Sequence, residues 1–130
     1  VKNKDSPNIM NGEGYLIVNL TSIRDFNANL LGKAIEMISL VADTPSNALV
    51  LGLAVESEMI TKVSLRHLGK AEESSPKLDK ILTEIVAQVN GELLGHRHVM
   101  GALITRQKEM DFIRIARKVL EARSMEEIIR

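Results

Sequence analysis

The segment Tyr15-Leu16-Ile17-Val18-Asn19-Leu20-Thr21 has the length and residue types of a β-strand, and the way it is paired decides the fold. Successive side chains on a strand point to opposite faces, so Leu16, Val18 and Leu20 share one face and Tyr15, Ile17, Asn19 and Thr21 the other. It reads as the single strand of the chain. A lone strand leaves its backbone donors and acceptors unpaired, at a cost in free energy. Its partner is therefore expected from a second copy of the chain. A structural strand buried on both faces is an equal reading of the same residues. Upstream, residues 1–14 are dominated by Asn, Lys, Asp, Ser, Pro and Gly and read as a flexible tail.

Downstream the apolar spacing is helical. Ser22 is the expected cap of a first helix, with Asp25 in its first turn. Phe26, Leu30, Leu31, Ala34, Ile35, Ile38 and Val41 recur at three- and four-residue intervals. Thr44-Pro45-Ser46 then stops one helix and opens another, because proline at the first helical position gives up an N–H that has no partner there. The run Ala48-Leu49-Val50-Leu51-Gly52-Leu53-Ala54-Val55 is apolar on nearly every side and predicts a buried second helix reaching Leu68. Within that helix Gly52 would allow close backbone approach. Residues 69–76 read as a linker. Leu78, Ile81, Leu82, Ile85, Val86, Val89, Leu93 and Leu94 predict a third helix. Met100, Leu103, Ile104, Met110, Ile113, Ala116, Val119 and Leu120 predict a fourth. The expected fold is mostly α: one N-terminal strand pairing across a dimer, with a helical C-terminal extension. The expected division is a tail (1–14), a strand-helix-helix unit (15–68), a linker (69–76) and a helical oligomerisation region (77–130).

A chain of 130 residues and 14.4 kDa has room for one domain of ordinary size. With 45% apolar and 26% charged residues the balance is that of a folded chain, not a disordered one. The absence of cysteine excludes disulfides, thiolate nucleophiles and cysteine-based metal sites, and fits a reducing, cytoplasmic setting. No apolar run approaches the ~20 residues of a membrane-spanning helix, so no membrane association is expected. Tyr15, Phe26 and Phe112 are the only aromatic residues, too few for a base-stacking platform.

Lysine plus arginine and aspartate plus glutamate both number 17, yet the charge is uneven. Residues 96–130 carry eight basic and five acidic groups, a mild basic bias. Arg106, Lys108, Arg114, Arg117, Lys118 and Arg123 are interleaved with Glu109, Asp111 and Glu121, as in helix-surface ion pairing. The pair His96 and His98 would point about 200° apart on a helix and has no further ligand nearby, so no metal is expected. Glu72-Glu73 and Glu126-Glu127 read as solvated charge, since acid–base work needs a shaped, buried pocket. Gly12-Glu13-Gly14 precedes a strand, whereas phosphate-cradling loops follow one. No catalytic set and no cofactor are expected.

A strand, a helix, and a second apolar helix opened by Thr44-Pro45-Ser46-Asn47-Ala48-Leu49-Val50-Leu51-Gly52-Leu53 resembles the ribbon-helix-helix family. With the linker and helical C-terminal half, the order is similar to TraM-type relaxosome accessory proteins of conjugative plasmids. The resemblance implies a non-enzymatic homo-oligomer, a dimer or tetramer, that binds double-stranded DNA as a plasmid-transfer accessory protein or transcriptional repressor. It places Tyr15, Ile17, Asn19 and Thr21 toward the bases. Thr44, Ser46 and Asn47 would then meet a backbone phosphate at a helix N-terminus, with Arg24 and Lys33 adding phosphate contacts. The alternative is a helical protein-interaction module, such as a secretion chaperone or adaptor. It is favoured by the zero net charge, the apolar strand face and the scarcity of aromatics.

Overall fold

Tyr15–Asn19 is a strand, β2, but both of its edges are filled by its own chain. The computed structural model describes residues 8–41, 47–68, 77–96 and 99–129. Asn8–Gly12 forms β1, antiparallel to β2. A short 3₁₀ turn, Ala28–Leu30, leads into α1, Leu31–Val41. Strand β3, Leu49–Val55, lies parallel to β2, with Leu51 opposite Ile17. Strand β4, Ile60–His67, returns antiparallel to β3. Helix α2, Leu78–Ala87, precedes β5, Glu92–His96, which pairs with β6, Val99–Thr105. A second 3₁₀ turn, Arg106–Lys108, enters α3, Glu109–Ile129. The six strands form one mixed sheet in the order β1-β2-β3-β4-β6-β5.

The expected mostly α fold is thus overturned, and with it the borrowed strand. The run 48–55 is a central strand, not a helix. Leu49, Leu51 and Leu53 face one side and Val50, Gly52 and Ala54 the other, and both sides are covered. A strand covered on both faces reads as an unbroken apolar run, which periodicity cannot distinguish from a buried helix. Glu56 N and Ser57 N both donate to Ile60 O, at 3.0 and 3.1 Å, closing a hairpin where the helix was expected to continue. In β4, Thr61, Val63 and Leu65 are buried while Lys62 and Arg66 are partly exposed, the period-2 alternation of a strand.

The first helix begins at Leu31, not beside Ser22. Asn27, not Ser22, supplies the cap of the preceding turn, its Oδ1 accepting from Asn29 N at 2.9 Å. Strands β5 and β6 replace the ends of the expected third and fourth helices, and β1 lies within residues read as tail. The sheet joins strands from both sides of residues 69–76, because β4 pairs with β6.

Helices α2 and α3 cover one face, where Phe112, Ile81, Leu82 and Ile85 meet Leu51, Leu53, Val63 and Leu65. Burying each such apolar side chain contributes about 1.5–3 kcal/mol. Helix α1 covers the opposite face over β2 and β3, with Leu31 and Ile35 on Leu16, Val18, Val50 and Ala54. It stops short of the β4-β6-β5 half, so a trough runs along its flank. Among the described residues no helix is long and apolar enough to cross a membrane.

Candidate functional site

The trough is a cleft of about 490 Å³, within the size range of ligand sites. Alternation along β4 turns Lys62, Ser64 and Arg66 into it, and the first turns of α1 bring Lys33 and Glu36 from the other wall. Leu94, Gly95 and Gly101 complete it. Three cations thus face one carboxylate. Glu36 is committed, because Arg66 Nη1 donates to its Oε1. Arg66 Nε is buried and has no hydrogen-bond partner. An unsatisfied buried donor of this kind costs about 1–3 kcal/mol.

Gly32 gives the guanidinium its place. A Cβ built there would lie 2.1 Å from Arg66 Nη2, so no other residue fits without moving Arg66. The cleft therefore joins a cation from each of two elements to a guanidinium fixed by helix packing, an arrangement suited to oxyanions. General acid–base chemistry needs a group that exchanges protons within reach of a substrate. The carboxylate of the cleft is instead tied to Arg66.

Of the residues expected to contact DNA, Lys33 is in this cleft and Arg24 lies in a separate hollow beside Thr21. Tyr15 and Ile17 do not face outward. They are 3% and 0% exposed, in the core beneath α2 and α3. Asn19 is half-buried, and its Oδ1 accepts from Thr21 N and Oγ1 at 3.0 and 2.7 Å. Asn47 is exposed just before β3, and Thr44 and Ser46 lie outside the described residues. Lys62 and Arg66 were missed as a pair. Their four-residue spacing was the available signal, and it is shared by one side of a helix and one face of a strand. On α3 the expected surface pairing occurs, Arg114 with Asp111 at 2.9 Å and Arg117 with Glu121 at 3.9 Å.

Tyr15 ties β2 to α3, its hydroxyl donating to Glu121 Oε1 at 2.7 Å. Burial raises its pKa above the ordinary 10.0, the bond to Glu121 raises it further, and Arg117 opposes both. A raised folded-state value means that the neutral phenol's stabilisation is whole below pH 10.0 and is lost as pH climbs through the folded value. Tyr15→Phe removes the only tyrosine, so the loss of stability above that pH should become shallower. Urea midpoints on either side of pH 10.0 check this, and equal alkaline slopes in both proteins would refute it.

The strand-helix-helix order that suggested a plasmid-transfer protein or repressor is absent, and so is the all-helical frame of the adaptor alternative. Both readings fall with the six-stranded sheet. No protein-family model matches the chain, and no curated protein matches it in sequence. Solved structures match its fold. CDC45 from Entamoeba histolytica aligns with a TM-score of 0.63 at 11% identity, over 89% of this chain. The chain spans only 25% of that CDC45. The C-Ala domain of Aquifex aeolicus alanyl-tRNA synthetase aligns with a TM-score of 0.63 at 9% identity, over 87% of this chain and 97% of that domain. The DHH domain of a protein from a ribosomal-protein family aligns with a TM-score of 0.55 at 14% identity, over 86% of this chain and 27% of the other. At these identities the likeness is one of fold, shared with the C-Ala domain along nearly the whole of that domain.

Proposed function

We propose that this chain is a non-catalytic module that binds nucleic acid of the RNA type, holding backbone phosphate in the cleft between α1 and β4. The observation that carries the reading is the convergence of Lys33, Lys62 and Arg66 on one cleft, against the single carboxylate of Glu36. The shared fold with a domain of a tRNA synthetase favours RNA over other polyanions. Recognition is through phosphate. Tyr15 and Phe112 are in the core and Phe26 is half-buried against α1, so none lines the cleft as a stacking platform. Binding of this kind positions a ligand but reads little sequence.

Neutralising about three phosphates gives a slope of log affinity against log salt of about −2 to −3. Lys62→Gln should weaken binding of labelled tRNA and make that slope shallower by about 0.7–0.9, because one phosphate contact is lost. Fluorescence anisotropy across a potassium chloride series measures both. A Lys33→Gln, Lys62→Gln double variant with wild-type affinity and slope would eliminate the reading. Tighter binding of a DNA duplex than of tRNA would reject the RNA assignment.

A further inference from the structure

We propose that Glu36 is an autoinhibitory contact, which holds Arg66 in the place of a phosphate oxygen and is displaced by ligand, a role that rests on the cleft being the phosphate site. The pair joins the two walls, Arg66 from β4 and Glu36 from α1. The guanidinium has little choice of donor. Its Nε is buried. Its Nη2 lies against the bare Cα of Gly32, in the space that a Cβ would take. That leaves Nη1, and Nη1 is the group from which Glu36 Oε1 accepts. A phosphate approaching Arg66 thus meets a carboxylate on the donor it needs, together with the repulsion of like charge.

The exchange needs no movement of the backbone. Helix α1 is pinned by Leu31 and Ile35, both buried on β2 and β3. The Glu36 side chain is 52% exposed against 25% for Arg66, so the carboxylate can swing into water without uncovering the core. Lys33, three residues earlier on α1, and Lys62 on β4 line the same cleft and attract the incoming anion. An exposed ion pair is weak, which suits a contact that a ligand must break. The competent fraction of the protein is the one in which the pair is open, and apparent affinity falls by that fraction whatever the oxyanion.

Fluorescence anisotropy with labelled tRNA should show Glu36→Gln binding about two- to sixfold more tightly than the wild type. Glu36→Asp keeps the charge but draws the carboxylate back from Arg66 by one methylene, and should also bind more tightly than the wild type. A gain in the glutamine variant alone would mean a general effect of negative charge and would overturn the proposal. Combined with Arg66→Gln, which removes the contested donor, Glu36→Gln should gain nothing. Glu36 is exposed, so its two single variants should fold as the wild type does even where Arg66→Gln does not. Isothermal titration with inorganic pyrophosphate repeats the comparison with an anion that is not RNA. Tighter pyrophosphate binding by both single variants, with no tRNA binding by any protein, would reject the RNA assignment and uphold the contact. Binding of tRNA that weakens in Lys62→Gln yet is equal in the wild type and both Glu36 variants would overturn the contact and leave the cleft reading standing. No gain with either ligand overturns it as well.

Discussion

Phe112→Ala should lower the stability of the chain by about 3–5 kcal/mol, the largest single-residue loss expected in this fold. Phe112 is 0% exposed and sits where α3 meets the sheet, in the cluster that includes Leu51, Val63, Leu65 and Ile81. Removing the ring forfeits its transfer free energy and leaves a cavity, because the packed elements around the gap relax only in part. Since domains are typically stable by only about 5–15 kcal/mol, this is a large fraction of the total. Urea denaturation followed by circular dichroism should show a lower midpoint with an unchanged slope. A midpoint within error of the wild type would mean that α3 does not close the core as described.

Gly52→Val should be the most damaging change on the opposite face, costing about 1–3 kcal/mol and displacing α1. A Cβ at this position lies 2.4 Å from Ile35 Cγ2 and 3.1 Å from Leu31 Cδ1. Both side chains are buried, Ile35 at 0% and Leu31 at 1% exposure, so neither can swing aside, and the helix itself must lift. Because Lys33 and Glu36 ride on that helix, the variant should also lose tRNA binding in the cleft. The sign for alanine is equally telling. In the middle of a helix Gly52→Ala would stabilise by about 0.5–1 kcal/mol, whereas in β3 beneath Ile35 it destabilises. Thermal melts of the alanine and valine variants separate the two structures for this segment.

The second cleft wall shows why the site was less legible than the strands. Lys62 and Arg66 are four apart, a spacing that keeps them on one side of a helix as well as on one face of a strand. Sequence alone thus gives no contradiction when β4 is read as helix. Lys33 is 29 positions before Lys62 and reaches the cleft only because α1 crosses the sheet beside β4. Nothing local announces that meeting.

By itself the sequence determined that Tyr15–Asn19 is extended, through its length and β-forming residue types, and that Leu78–Val86 carries an apolar stripe whose spacing only a helix places on one face. It also determined an aliphatic core and a chain without thiol chemistry. Only the tertiary structure decided what pairs with β2 and whether Ala48–Val55 is helix or strand. A backbone's hydrogen-bonding partners are not inscribed in its own residues, and a segment covered on all sides carries no period to choose between geometries. Ile9 and Met10, Leu49–Val55 and the alternating β4 supply those partners together, so the sheet exists only once all are in place.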